Sequence, residues 1–279
     1  ILSDVGSFDF TSSYPAVMLT EKFPMSKSRK IGKIEDWNKF QYYLHSYCCL
    51  FDITLKNVIA KVDYDHPISF SKLILPKDPL ERKKAINNMK IDNGRVVQAE
   101  SISLTMTEQD WFVFEAFYNF GDDESDEPDF VIHSFRIYEK GYLPKEFFTA
   151  ILGLYKKKTE LKDVAGEEIN YMISKNMLNA AYGMIVTDIV RDILEYDSIN
   201  NVYLDKRKPD LEDAIEKYNK SKKRFLFYPW GVWVTAYSRK NLFTGILASG
   251  SDYIYSDTDS IKILHPESHW DRSHIRFRD

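Results

Sequence analysis

The chain has 279 residues, 44% of them hydrophobic and 15% aromatic. That composition excludes a disordered chain and provides a sizeable core for one large or two smaller domains. A net charge of −4 argues against a chain-wide basic footprint, and no apolar run approaches the roughly 18 residues of a membrane span, so no membrane partner is expected.

The charge is unevenly spread. Asp122, Asp123, Glu124, Asp126, Glu127 and Asp129 form an acidic, solvated loop, and without these six negatives the net charge of −4 becomes about +2. Lysines and arginines gather at 156–158, 206–208 and 220–224, and solvated faces are the default reading for the last two. The first residue is Ile and no signal peptide is visible, so the chain reads as a piece of something longer. The two cysteines, Cys48 and Cys49, are adjacent, and neighbouring cysteines rarely bridge. With no Cys-x-x-Cys or His/Cys cluster beside them, the expectation is no zinc and a reducing, cytoplasmic location.

Residues 1–25 predict a strand, a turn and a helix: Phe8-Asp9-Phe10, then Thr11-Ser12-Ser13, then Tyr14-Pro15 and an apolar run. Pro15 suits a first helical turn, and Ser12 or Ser13 can cap it. Asp9, at the strand's end, then faces whatever gathers at the helix start, with Tyr14 on the same rim. Taken alone, this stretch reads better as an ordinary capped helix with a surface Asp. From 26 to 140 the pattern is mixed: strands at 50–62, 101–106 and 131–138, and a helix at 111–120 opened by a Thr107 cap and early acids. No chemistry is evident there.

Residues 144–183 read as the helical heart. Pro144 opens a helix that runs to about Lys162, with Phe147, Phe148, Ile151, Leu152 and Tyr155 on its apolar side. After a break at 163–166, a second helix carries Ile169, Met172, Ile173, Leu178 and Tyr182, which predicts an antiparallel helical hairpin. Lys158 and Lys162 are i, i+4; Lys175, Asn179 and Tyr182 are i, i+4, i+7; each set shares a helix face. Two such faces turned into one groove can hold a triphosphate without a Gly-rich loop, and no GxxxxGK[ST] P-loop is present. Surface lysines on a solvated hairpin satisfy the same spacing. Residues 184–228 read as an insertion with a short amphipathic helix at 211–218. A buried helix over 232–247, ended by Gly250, leads into the stretch that organises the rest.

That stretch is Tyr253-Ile-Tyr-Ser-Asp257-Thr-Asp259-Ser260, a short strand running into two carboxylates spaced i, i+2. Ile261, Ile263 and Leu264 then resume an apolar strand pattern. Carboxylates converging in a tight turn repel one another unless a cation sits between them, so Asp-Thr-Asp reads as part of a divalent-metal site completed from elsewhere in the chain. A polar turn is the plain alternative, because Asp and Ser favour turns anyway.

Three segments now stand in order: Asp9-Phe-Thr-Ser-Ser-Tyr14-Pro15, Lys175-Asn-Met-Leu-Asn179-Ala-Ala-Tyr182-Gly183 and Tyr255-Ser-Asp257-Thr-Asp259-Ser260. Together they resemble motifs A, B and C of the family B DNA polymerases, DxxSxYP, KxxxNxxYG and YxDTDS. Lys158 and Lys162 resemble the paired basic residues on the fingers helix ahead of motif B. The mixed region and the later insertion look like the protein-primed, phage-type branch, in which two insertions contact a terminal protein and encircle DNA.

The resemblance implies an α+β fold: an antiparallel palm sheet backed by helices, a helical-hairpin fingers subdomain and inserted mixed segments. It divides the chain into palm with motif A (1–38), a terminal-protein-type insertion (39–140), fingers with motif B (141–183), a second insertion (184–228) and palm with motif C (229–279). Exonuclease and thumb, which flank these parts in the family, have no counterpart in the sequence.

It further implies nucleotidyl transfer of dNTPs onto a primer 3′-OH with two Mg²⁺ ions, for which Mn²⁺ can substitute. Primer–template DNA and dNTPs are the implied partners, with a terminal protein as a third, in the host cytoplasm if the protein is phage-encoded. Asp9, Asp257 and Asp259 are the implied catalytic residues. Asp9 and Asp259 are the bridging metal ligands, while Asp257 supports them or holds a metal more loosely. Lys158, Lys162 and Lys175 would hold the triphosphate, Asn179 and Tyr182 would line the base-pair pocket, and Tyr14 would lie under the sugar, excluding a 2′-OH. A reverse transcriptase is a rival reading, against which the Lys-x3-Asn-x2-Tyr-Gly helix counts. A truncated or split segment that binds DNA or a partner protein without catalysis is the rival from another class.

Overall fold

A computed structural model of the chain describes residues 4–34, 36–121, 129–221 and 227–269. The acidic stretch at 122–127, the basic residues at 222–224 and the charged tail from 270 lie outside the described residues.

The chain begins with strand β1 (Val5–Asp9), helix α1 (Ser13–Thr20), β2 (Phe23–Pro24), β3 (Arg29–Ile31), α2 (Trp37–Ser46) and β4 (Cys48–Ala60). Next come α3 (Pro79–Asn87), β5 (Met89–Asp92), β6 (Arg95–Thr107), α4 (Glu108–Phe117), β7 (Tyr118–Asn119), β8 (Phe130–Tyr138) and β9 (Lys140–Gly141). The long helices α5 (Lys145–Leu161) and α6 (Glu168–Ile185) precede β10 (Tyr196–Asp197), β11 (Val202–Tyr203) and α7 (Leu211–Lys220). Helix α8 (Tyr228–Ser249) then leads to β12 (Tyr253–Asp257) and β13 (Ser260–Leu264). The architecture is α+β with antiparallel sheets, as the sequence predicts.

Two compact units emerge, residues 1–150 with 232–279, and residues 151–231. In the first, a six-stranded sheet is ordered β3-β8-β4-β6-β5, with β7 also paired to β4. Alternation explains its central strand. Phe51, Ile53 and Leu55 are buried, and the intervening Asp52, Thr54 and Lys56 are not. The antiparallel register sets those apolar side chains opposite Met106, Leu104 and Ile102 of β6, so one face of the pair is continuous core. Helix α4 starts where predicted, on a full capping box between Thr107 and Asp110.

The second sheet is small, ordered β1-β13-β12. Ile261 and Ile263 of β13, with Leu242, Phe243 and Ile246 of α8, belong to the same apolar cluster as the buried residues of β4, β6 and β8. A single core thus underlies both sheets of this unit. In β1 the close approach of Pro266 requires Gly6: a Cβ there would stand 2.7 Å from the proline's Cβ.

The second unit contains most of α5, the whole of α6, the β10–β11 hairpin and α7. Here the apolar faces predicted for α5 and α6 need correction. Ile151 is the buried residue of α5, while Phe148 and Leu152 are exposed. In α6, Leu178 and Ile185 are buried, but Ile169, Met172 and Ile173 are exposed. Lys162 falls one residue beyond α5. Helix α8 starts at Tyr228, four residues earlier than predicted, because Pro229 fits in its first turn instead of preceding it.

Candidate active site

Asp9 ends β1, Asp257 ends β12, and Ser260 opens β13 between them. Ser260 pairs with Asp9 on one side and with Asp257 on the other. Directly opposed residues of antiparallel strands project to the same face, so Asp9, Ser260 and Asp257 form a row across the sheet. Two strand spacings separate the outer pair, about 10 Å between Cα atoms. The other face carries Phe8 against Ile261 and is turned to the core. The carboxylates therefore stand on the solvent side because strand alternation puts them there.

The turn brings in the third carboxylate. Asp259 N–H donates to Asp257 O at 2.6 Å around Thr258, whose φ is 54°. That left-handed position is unfavourable for a β-branched residue and marks a strained, tight hairpin. Thr258 Oγ1 donates to Asp257 Oδ1 at 3.0 Å, and Ser260 Oγ to Asp257 O at 3.1 Å. Phe10 N–H donates to Asp259 O at 2.8 Å, which locks the chain after Asp9 onto the hairpin tip.

The electrostatics show that these groups share one neighbourhood. The Asp259 carboxyl is raised above the ordinary aspartate range, first by partial burial, then by the negative charge of Asp9, with Asp257 adding to it; a hydrogen bond from its own backbone offsets part of the rise. Such mutual repulsion is what a cation would relieve. Among the described residues no three His, Cys, Asp or Glu side chains form a ready-made ion cage. The donor set is still one that suits a hard ion such as Mg²⁺, which takes one or two carboxylates and completes its shell with water and substrate phosphates.

Helix α1 follows at once. Its N-cap Ser12 is itself left-handed, with φ 53°, and its side chain makes no capping hydrogen bond, contrary to the expected serine cap. Tyr14 lies in the first turn, half-buried. Ser13 is buried and its hydroxyl donates to Ser238 Oγ of α8 at 3.4 Å.

Behind the hairpin stands a residue that the sequence did not reveal. Tyr253 Oη donates to Asp65 Oδ2 at 3.0 Å and also lies 3.0 Å from Ser256 Oγ. Ser256 Oγ is 3.4 Å from the same carboxylate oxygen. Burial is the main cause that pushes the Tyr253 phenol up to about 12, so it stays a neutral hydrogen-bonding group. Asp65 thus ties down β12 immediately ahead of Asp257. Its partners lie 188 and 191 residues further on, and although Asp63 stands i, i+2 from it, nothing in that local spacing points to β12.

The remaining predicted residues belong to the second unit. Lys158 is on α5, and Lys162 is in the turn after it. Lys175, Asn179 and Tyr182 all lie within α6, with Lys175 and Asn179 exposed and Tyr182 half-buried. The structure thus brings the three carboxylates together with Tyr14 in one unit, and the lysines, Asn179 and Tyr182 in the other.

No family model and no curated protein matches the sequence. Solved structures do match. Phi29 DNA polymerase complexed with primer-template DNA, in a post-translocation binary complex, aligns with a TM-score of 0.63 at 19% identity, over 94% of this chain and 38% of that one. The fold is similar to that of part of this polymerase. The same polymerase in its ternary complex with incoming nucleotide substrates gives a TM-score of 0.62 at 18% identity, over 94% of this chain and 39% of that one. An orthorhombic crystal form gives 0.59 at 19% identity, with the same coverages. The chain spans 38–39% of the length of these polymerases. Among the described residues no helix is long and apolar enough to cross a membrane.

Proposed function

We propose that this chain is the palm and fingers part of a protein-primed, family B DNA polymerase, and that it transfers nucleotides from dNTPs to a primer 3′-OH. The observation that carries the reading is the convergence of Asp9, Asp257 and Asp259 at one end of the β1-β13-β12 sheet, on a fold similar to that of a DNA polymerase.

Asp9 and Asp259 would hold two Mg²⁺ ions, with Asp257 as a weaker or supporting ligand. When bound, the ions would lower the pKa of the attacking hydroxyl and neutralise charge on the phosphates. The protein's own part is positioning. The strained Thr258 turn and the Asp65–Tyr253–Ser256 contacts fix the carboxylates before substrate arrives, so little reorganisation is left for the reaction itself. Lys158, Lys162 and Lys175 would donate charged hydrogen bonds to the triphosphate and stabilise charge growing on the leaving pyrophosphate. Tyr14 would pack under the sugar, and Asn179 and Tyr182 would line the nascent base pair. Primer–template DNA and a terminal protein are the macromolecular partners of this reading.

Two measurements test it. Crystals soaked in Mn²⁺ should give an anomalous peak between Asp9 and Asp259. A labelled primer–template incubated with the chain, dNTPs and Mg²⁺ or Mn²⁺ should be extended, and Asp259→Asn should abolish extension. DNA binding with no extension by the unaltered chain would favour the non-catalytic module. A metal located away from these carboxylates would remove the basis of the assignment.

A further inference from the structure

A second polar site lies in the first unit, away from the carboxylates. A cavity of about 320 Å³ opens at the C-terminal end of α1 and is walled by α2, α4, β9 and α8. Asp9 precedes the other end of α1, and eight helical residues put about 12 Å of axis between the two ends.

Three ammonium groups line this cavity from three different elements. Lys22 follows α1, Lys140 is in β9 and Lys240 is in α8. Among the described residues none of the three is ion-paired to a carboxylate. Two of them rest on neutral groups. Lys22 lies over the Tyr142 ring at 5.4 Å, and Lys240 over the Phe112 ring at 5.3 Å. Lys240 Nζ donates to Oε1 of the buried Gln109 at 2.9 Å, which leaves two of its three protons for other acceptors. Exposed His45, stacked on Phe112, adds a ring that can also donate. One carboxylate, Glu21, is on the wall. Glu108 lies beneath, but it is fully buried and its oxygens face Cys49 N, Trp233 Nε1 and Gln109 Nε2.

Unpaired cations turned into one concavity repel each other, and each lacks the anion that would complete it. Burial lowers the Lys240 pKa; Glu21 and Glu108 oppose this in part, and Lys140 adds a smaller push in the same direction as burial. On the cavity wall three lysines face one glutamate, and burial raises the Glu108 carboxyl beneath them and favours its neutral form, so a doubly charged oxyanion matches the wall better than a single carboxylate does. We propose that this cavity binds a phosphate group, free or carried by a nucleic-acid strand, through Lys22, Lys140 and Lys240. The site does not depend on the polymerase reading, and it would be filled without any divalent ion.

Calorimetry of the chain in EDTA tests this, because the carboxylate site then holds no metal to recruit phosphate. The probes are inorganic pyrophosphate and an oligothymidylate of about eight nucleotides, the length of a typical single-strand contact. Pyrophosphate should bind, and Lys240→Met or Lys22→Met should each weaken it about ten-fold, the loss of one charged hydrogen bond. Asp259→Asn should bind as the unaltered chain does. An oligonucleotide that displaces pyrophosphate assigns the phosphate to a strand; one that does not assigns it to a free ligand. Binding of neither probe, equal binding by both lysine variants, or equal binding of a glutamate-rich peptide overturns the proposal. Lys22 is exposed, so its variant remains informative if Lys240→Met fails to fold.

Discussion

Glu108 offers a sharp test of how the first unit is held together. Its carboxylate is 0% exposed and joins β4, α4 and α8. One oxygen accepts from Cys49 N–H at 2.7 Å, the other from Trp233 Nε1–H at 2.8 Å and from Gln109 Nε2 at 3.1 Å. Glu108→Ala strands the first two donors in a dry core, at about 1–3 kcal/mol each, while relief of the buried acid offsets part of that. A net loss of about 2–4 kcal/mol is expected. Glu108→Gln keeps one carbonyl acceptor and should lose about half as much.

The pH dependence has a definite sign. Burial raises the Glu108 carboxyl above its ordinary range, with the Cys49, Trp233 and Gln109 hydrogen bonds and Lys140 pulling it partly back. A carboxyl whose folded pKa is raised stabilises the fold most below its unfolded pKa, and that contribution is lost as pH rises through the folded value. Stability of the unaltered chain should therefore carry a downward component with rising pH that Glu108→Gln removes. Urea unfolding followed by tryptophan fluorescence, repeated across pH, measures both effects. A loss below about 1 kcal/mol in Glu108→Ala, or identical pH slopes for the unaltered and Gln chains, would refute the reasoning.

Three further outcomes concern the hairpin. Asp65→Ala should weaken Mn²⁺ binding about ten-fold or more, as lost support of metal ligands typically does, with little change in the urea midpoint; calorimetry with unchanged Mn²⁺ affinity would show that Asp65 does not position the site. Thr258→Gly should stabilise the fold by about 1 kcal/mol by relieving the left-handed threonine, and a lowered melting temperature would contradict that strain. Because partial burial and Asp9 raise the Asp259 carboxyl, protons should displace Mn²⁺ at milder acidity than at an ordinary aspartate pair. A titration of Mn²⁺ affinity against pH in the unaltered chain and in Asp259→Asn should differ in slope, and equal slopes would exclude Asp259 as the titrating ligand.

Much of this was legible because the signals are local. The alternation in β4, β6 and β8, the Thr107 capping box and the apolar run of β13 each follow from neighbouring residues. Other elements lack such signals. Helix α3 buries no residue and rests on the Asp78 cap and Pro79, so it has no apolar period to read. Helix α2 buries only Phe40 and Leu44 among polar and tyrosine positions. The two-residue strands β2 and β9 exist only because they meet each other. In the site, Asp257 and Asp259 announced themselves by spacing and Asp9 only through the order of the three motifs, whereas Asp65 and the lysines of the second cavity are gathered only by tertiary folding. The exposed apolar positions of α5 and α6 misled the amphipathic reading because periodicity gives a face but not what covers it.

The two adjacent cysteines have a practical corollary. Cys48 and Cys49 are both buried, and burial raises both thiols far from the thiolate form that reacts. The chain contains no other cysteine. A cysteine introduced at exposed Asn176 on α6 would therefore be the one fast-reacting thiol, without prior removal of the native pair. Site-selective dye or spin labelling would then report directly on α6 as nucleotide and DNA are added, in the native background.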